Sequence, residues 1–319
     1  MEYADRHTDF SRFDQSLRTL LRGIVFNRQR WGDEDDAALV TDAIKYHQRP
    51  VKRPDRRPYT GQDDYIREVL EDTLGFDETT PFQERCWERL NEMRTARSEE
   101  ASSQAAILSA PTGFGKTEGF AGPIFHDLAT NQGHGFGKVA IVYPRNALLE
   151  DQLERFLVTM DEMRTQYGTD ISIGIYNGDV PSENDKITYS PLVDRGEFRI
   201  AQWTGGDNPV PFEFNYDNSD ETYTLEAQSS DGPTFDESQI KLSRKSVRGA
   251  NGGNPPDILL TTINSLENFA LKPNYEIIDA YRTFVFDEVH LYRGTYGTHA
   301  ANVIRNTKRS IEERVGEDT

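Results

Sequence analysis

Two short stretches carry residues whose types and spacing could do chemistry. The first, at 110–118, reads APTGFGKTE. A glycine loop ending in Gly-Lys-Thr, placed between an apolar strand and a helix, points backbone N–H groups at a phosphate on the helix N-terminus. Gly113, Phe114, Gly115, Lys116 and Thr117 would wrap the phosphate chain, with Lys116 on its outer oxygens and the Thr117 hydroxyl on Mg²⁺. The general pattern G-x-x-x-x-G-K-[ST] wants glycine where this chain has Ala110, so the loop is a variant form. The second stretch, TFVFDEVH at 283–290, is an apolar run ending in Asp287, Glu288 and His290. An aspartate at the end of a parallel strand can hold Mg²⁺, and a following glutamate can orient and deprotonate a water. Alone, either stretch has an ordinary reading, a glycine turn or a solvated strand end. Together they imply a nucleoside triphosphate site with Mg²⁺, Lys116, Asp287 and Glu288 being the catalytic candidates.

The elements that must position these residues follow from hydropathy patterning. Short apolar runs at 105–110, 138–144, 170–179, 257–262 and 283–288 read as buried strands, and helical patterns follow at 118–130 and 146–163. Such alternation predicts an α/β fold: a mostly parallel sheet with right-handed crossovers and helices on both faces. Upstream, 63–76 and 79–97 read as helices, the second capped by Thr79 or Thr80 next to Pro81. Residues 13–26 also have a helical face, and 48–61 holds three prolines and five basic residues, as an extended linker does. Residues 1–75 are therefore expected to be a helical extension and linker, and 76–319 the main domain. Segment 181–254 breaks the rhythm: 181–240 has 13 acidic residues against three basic ones, and KLSRKSVRGANGG (241–253) then turns basic. It reads as an acidic insertion, partly β and partly mobile loop.

Composition narrows the setting. Asp plus Glu number 54 against 36 Lys plus Arg, a formal charge of −18, and only nine of the basic residues are lysine. An acidic, arginine-rich, lysine-poor surface suits a salt-rich cytoplasm, where carboxylates keep the surface hydrated and salt screens their repulsion, and a haloarchaeal source fits. No apolar run is long enough to span a membrane and no secretory signal is present, so a cytoplasmic protein without a membrane partner is expected. Cys86 is the only cysteine, which excludes internal disulfides and cysteine-rich zinc sites.

With the loop, DEVH and their spacing in view, the chain resembles the superfamily 2 DExH helicases, whose first motif is A-x-T-G-x-G-K-[ST] with alanine in the place of the first glycine. The resemblance covers roughly 76–180 and 255–319. It implies a RecA-like domain and adds Thr112 and Glu118 to the nucleotide contacts. TTPFQERCWERL resembles the Q motif, which makes Gln83 the reader of the adenine edge. YPRNALLEDQLERF (143–156) resembles motif Ia, placing Pro144, Arg145 and Asn146 on the nucleic-acid backbone. IYNGD (175–179) and PDILLTTINSLEN (256–268) would add Gly178, Thr261 and Thr262, the two threonines near a phosphate. His290 would couple the nucleotide site to a second motor domain. The run DEVHLYRGTYGTHAANVIRNTKR (287–309) is similar to the YprA/MrfA and Lhr-like group, whose style is shared by helicases of the DISARM type. DNA rather than RNA, and a role in repair or defence, follow from that resemblance alone.

Such helicases carry a Ser-Ala-Thr strand and a second RecA-like domain after this point, and the sequence has neither. The expectation is half of an ATP site, inactive or weakly active by itself. The second domain would be supplied in trans, by a separately encoded partner, or lost to truncation. A missing arginine finger costs about 10³–10⁵ in rate in the GTPases. The alternatives are a fragment that binds ATP or nucleic acid without turnover, and a helicase of the CRISPR-associated type.

Overall fold

The computed structural model describes residues 54–97, 104–111, 113–131, 136–194, 196–204, 208–230, 232–248, 254–271 and 280–315. The helix expected at 13–26 and the first part of the 48–61 linker lie outside them. Residues 54–319 form one compact unit, which is described by itself.

Five strands form a wholly parallel sheet in the order β10-β1-β9-β2-β8: β1 (Lys138–Tyr143), β2 (Ile173–Tyr176), β8 (Ile240–Lys241), β9 (Ile258–Thr262) and β10 (Tyr281–Phe286). Strand β1 shows why both faces are covered. Val139, Ile141 and Tyr143 belong to one buried cluster, and Ala140 and Val142 to another. Side chains alternate across a strand, so a run that is apolar at every position must be buried twice. Helices α3 (Lys116–Asn131) and α4 (Asn146–Tyr167) cover the first face with Phe120, Ile124, Phe125, Leu149, Leu153 and Phe156. On the second face, α6 (Ile263–Leu271) and α7 (Gly294–Val315) contribute Ile263, Leu266, Ala300 and Val303. This is the mostly parallel α/β arrangement, with helices on both faces, that the alternation predicts.

Two expectations are corrected. The strand expected at 105–110 is not formed. A strand exists only with a hydrogen-bonding neighbour, and among the described residues none pairs with this segment, leaving Ile107 94% exposed. The boundary at residue 75 also moves. Helix α1 (Asp64–Arg67) runs into a π-helical stretch (Glu68–Thr73), and Ile66, Val69 and Leu70 share a buried cluster with Cys86 and Trp87 of α2 (Pro81–Arg97). Residues 54–75 therefore belong to the main unit rather than to an extension.

The insertion is partly β, as expected, but its described strands pack on the main unit rather than standing apart from it. Strands β3 (Val193–Asp194), β4 (Glu197–Trp203), β5 (Val210–Asp217), β6 (Thr222–Ala227) and β7 (Thr234–Asp236) form an antiparallel sheet. Its Phe198, Phe212, Tyr223, Leu225 and Phe235 are buried in the same cluster as α3 and α4. The alternation is polar-out and apolar-in, so the abundant carboxylates face water while the aromatics fill the core. Strand β8 then returns to the parallel sheet beside β2.

At the end of the sheet away from the glycine loop, Asp257 ties three strands together. Its carboxylate accepts from the Ser172 N–H (2.9 Å), the Ser172 hydroxyl (2.7 Å) and Lys138 Nζ (2.9 Å). Burial alone would raise its pKa, but the bonds from Lys138 and Ser172 outweigh that and hold it below the usual carboxylate value. A depressed carboxylate contributes stability above its unfolded pKa, near 3.9 on average, and loses it as pH falls through the folded value. Asp257→Asn should therefore cost about 1–3 kcal/mol at neutral pH. Urea unfolding from pH 7 downward should show the gap between variant and wild type closing in the acid range.

Candidate functional site

The glycine loop precedes α3 with two left-handed residues, Gly113 at φ +83° and Gly115 at φ +75°. Both conformations are ones that side chains with a Cβ rarely adopt. A Cβ at Gly113 would meet nothing within 4 Å, so the loop has open space there. At Gly115 a Cβ would come within 2.8 Å of Gln83 Cδ. The loop is thus seated on Gln83, itself 4% exposed, whose Oε1 accepts from the Thr80 N–H (3.0 Å) and the Thr80 hydroxyl (3.1 Å). The Thr80 hydroxyl in turn accepts from Gln83 N–H (3.2 Å), so the cap expected for α2 is Thr80. The start of α3 is pinned a second time, because Trp87 Nε1 donates to the Glu118 carbonyl (3.1 Å). The Glu118 carboxylate is turned to Arg155 of α4 (3.7 Å).

Strand β10 delivers the second half. Asp287 N–H donates to the Val142 carbonyl (3.1 Å), which continues the β1 ladder one residue past the strand. Glu288 then takes φ +49°, ψ +40°. A left-handed non-glycine residue costs about 1–2 kcal/mol and persists only where its surroundings hold it. Here its N–H donates to Asp287 Oδ1 (2.7 Å), and its carboxylate lies 2.9 Å from His290 Nδ1 and 3.9 Å from Lys116 Nζ. The turn therefore brings Lys116, Glu288 and His290 into one chain of polar contacts across two elements 172 residues apart in sequence. Asp287 is half-buried beside them. Burial raises its pKa, and the Glu288 carboxylate pushes the same way, while Glu288 N–H, Lys116 and His290 oppose them.

The donor set fits a hard divalent cation with a nucleotide. Mg²⁺ is usually held by one or two carboxylates together with phosphate oxygens, and it favours oxygen ligands throughout. Asp287 is a carboxylate that is costly to ionise without a cation, and Thr117 lies next to Lys116 at the first turn of α3. Among the described residues no group of three or more His, Cys, Asp or Glu side chains could hold a metal by themselves. Thr112 lies outside the described residues.

The expected nucleic-acid residues lie at the same edge of the sheet, with differing exposure. Arg145 is exposed at the N-cap of α4. Asn146 Nδ2 donates to Asp179 Oδ2 (2.7 Å), joining the 143–146 turn to the exposed Gly178 turn. Pro144 is buried, and its carbonyl accepts from the Tyr296 hydroxyl of α7 (3.2 Å). The two threonines are buried. Thr261 is fully buried and its hydroxyl donates to the Tyr176 carbonyl (2.7 Å), while Thr262, 8% exposed, donates to Ser265 Oγ (3.2 Å). Both hydroxyls fasten the strand end to its neighbours, because a polar group buried there must find a partner inside the protein.

Sequence reasoning missed the anchors Trp87 and Arg155, which carry no motif signal of their own. It also passed over Arg244 and Arg248, both within 6 Å of the Tyr176 ring centre (5.7 and 5.9 Å). Their signal was present: 238–256 contains no acidic residue in a chain with 54 of them. Near Asp179, on the α4 side, a cavity of about 520 Å³ is lined by Glu150, Asp151, Glu154 and Asp179 together with Pro191, Leu192, Arg199 and Gln202. Burial raises the Glu150 and Glu154 pKa values, and their acidic neighbours add to it.

Comparison with known proteins shows what the chain is similar to. Residues 80–192 match the family model for DEAD/DEAH box helicases. Druantia protein DruE of Escherichia coli (strain UMEA 4076-1) is 24% identical over 255 residues, covering 62% of this chain and 14% of that protein. Among solved structures, the DUF1998 helicase MrfA bound to DNA and AMPPNP matches at 20% identity and TM-score 0.49, over 86% of this chain and 29% of that one. The same helicase bound to DNA alone matches at 21% identity and TM-score 0.48, again over 86% and 29%. The chain thus spans 14% of the curated relative and under a third of the solved helicase.

Burial and the Glu288 carboxylate put an electrostatic cost on ionised Asp287. A carboxylate whose folded pKa is raised weakens the fold above that pKa, and the penalty disappears once it is protonated. Asp287→Asn should accordingly raise the melting temperature at pH 7 without nucleotide, by roughly 2–4 °C. That gain should shrink as the pH is lowered through the carboxylate range, which differential scanning calorimetry would show.

Proposed function

We propose that the chain is the ATP-binding half of a DExH helicase or translocase acting on DNA, a reading supported by the match of residues 80–192 to the family model for DEAD/DEAH box helicases. The observation that carries the reading is the meeting of Lys116 with Glu288, 3.9 Å apart, at the mouth of an open glycine loop. In this reading the N–H groups of 113–117 bind the phosphates and Lys116 leaves Glu288 for the outer phosphoryl oxygens. Thr117 and Asp287 would hold Mg²⁺, which offsets the charge developing on the transferred group. Glu288, freed from the lysine and steered by His290, would orient and deprotonate the attacking water. Gln83 would exchange its bond from Thr80 for the adenine edge, so nucleotide binding would be felt by the loop seated on it.

Turnover in this reading needs positive charge from a second RecA-like domain, carried elsewhere or by a separate partner. His290, exposed at the rim, is positioned to touch it. DNA as the partner is supported by the exposed Arg145 and Gly178 at the same edge and by the resemblance of the motif II extension. A role in repair or defence rests on that resemblance, and so does a salt-rich cytoplasm on the composition. Among the described residues no helix is long and apolar enough to cross a membrane.

Titration with a fluorescent ATP analogue and Mg²⁺ tests the core of this reading. Lys116→Ala should weaken binding by at least about tenfold, a loss of roughly 1.4 kcal/mol. Glu288→Gln should keep binding and, once a second motor domain is added, abolish DNA-stimulated hydrolysis. Wild-type protein that ignores Mg-nucleotide, or a Lys116→Ala variant that binds it as well as wild type, would overturn the assignment.

A further inference from the structure

Strand β1 ends on Tyr143, a residue at odds with the core around it. It is 0% exposed and belongs to the same buried cluster as Phe120, Leu149 and Phe156. Among the described residues its hydroxyl has no hydrogen-bond partner. Phenylalanine would fill the same apolar space at less cost, because a buried donor left unpaired weakens a fold. The strand register shows which polar group lies beside it. Val142 pairs with Phe286, and both pack toward α6 and α7. One position further, Asp287 N–H donates to the Val142 carbonyl (3.1 Å), and alternation turns Tyr143 and Asp287 toward α3 and α4.

Charge on that face supports the juxtaposition. Burial holds the Tyr143 phenol well above its ordinary pKa, the Asp287 carboxylate adds to this, and Arg155 of α4 opposes it. Helix α3, on the same face, begins with Lys116 and Thr117. Asp287 Oδ1 accepts from the Glu288 N–H (2.7 Å), which leaves lone pairs on the carboxylate for further donors. Other unpaired buried atoms are placed differently. The Tyr292 hydroxyl also feels Asp287, but it packs on the second face with Tyr296. Asn177 Nδ2 and the Nε of Arg244 in α5 (Arg244–Val247) lie at the Gly178 turn. The Tyr281 hydroxyl is at the far end of β10, where Asp257 is the acid that it feels.

We propose that Tyr143 is a positioning residue for the cation site, its hydroxyl donating to the Asp287 carboxylate once that carboxylate is ionised and engaged. The inference rests on the reading of Thr117 and Asp287 as the Mg²⁺ residues of a nucleotide site. Asp287 is costly to ionise where it lies, half-buried next to Glu288. A cation offsets that cost, and hydrogen bonds to the charged carboxylate then hold it in place. A phenol supplies such a bond without bringing a charge into the core, as lysine or arginine would. Tyr143 touches neither nucleotide nor cation in this account and acts through Asp287 alone.

The test compares Tyr143→Phe with Tyr281→Phe, which removes an equally buried, unpaired hydroxyl at the opposite end of the sheet. Melting temperature is read without nucleotide, and affinity for a fluorescent ATP analogue is read in Mg²⁺ and in EDTA. Both variants should melt higher than wild type by roughly 1–3 °C, since each loses a buried donor without a partner. Only Tyr143→Phe should lower the factor by which Mg²⁺ tightens nucleotide binding, by about tenfold, with affinity in EDTA unchanged. A wild-type Mg²⁺ factor in Tyr143→Phe overturns the positioning role and leaves the nucleotide site standing. An equal loss of affinity in Mg²⁺ and EDTA overturns it too, since the hydroxyl would then act through the fold. So does a Tyr143→Phe chain that melts lower or fails to fold, which would show a hydroxyl already bonded in the core. A Tyr281→Phe variant that lowers the Mg²⁺ factor as much overturns it as well. Wild-type protein that binds the nucleotide no better in Mg²⁺ than in EDTA overturns the cation site and the role of Tyr143 together.

Discussion

A parallel sheet buried on both faces puts every strand's C-terminal end on one edge, and the chemistry of this chain depends on that constraint. The turns after β1, β2, β9 and β10 all leave from that edge, carrying Arg145, Gly178, Thr262 and Asp287. The glycine loop reaches it by another route. Its helix α3 is held by the core through Phe120, Ile124 and Phe125 and by Trp87 at the Glu118 carbonyl. Lys116 therefore arrives at β10 because two separately anchored elements converge there.

Convergence of this kind concentrates cost as well as function. Asp287 and Glu288 are adjacent carboxylates at a half-buried strand end, one with a raised pKa and the other in a left-handed conformation. Cores do not need either feature. Both are what a site prepared for a multivalent cation and a phosphate chain would retain, since strain and unfavourable ionisation persist only where the surrounding structure holds them. Asp257 makes the contrast at the opposite end of the sheet. It is also substantially buried, but with Lys138 and Ser172 around it the carboxylate is lowered and the residue is a fastener.

The acidic insertion shows how composition can mislead about order. Its 13 acidic residues over 181–240 suggested mobile loop beside β structure, and in the strands Phe198, Phe212, Tyr223 and Phe235 alternate with polar residues and supply a buried face to α3 and α4. Period-two alternation was legible there once aromatics were weighed position by position. The apolar run at 105–110 misled in the opposite direction, because hydrophobicity names a candidate strand but not its neighbour. Thr261 and Thr262 were legible as a strand end and not as buried, since a hydroxyl's partner is set by the adjacent strand.

The sequence by itself determined the α/β alternation, the glycine loop and the carboxylate pair, because these are written in local spacing: apolar runs, Gly-x-Gly-Lys-Thr and Asp-Glu. It also contained the acid-free basic segment. Only the tertiary structure decided that Gln83 is the seat of the loop, that Glu118 faces Arg155, and that residues 54–75 belong to the main unit. It likewise brought Arg244 and Arg248 to Tyr176 across more than 60 residues. Each of those depends on which surfaces meet when the two faces of the sheet are covered, and pattern within a segment has no knowledge of its distant neighbours.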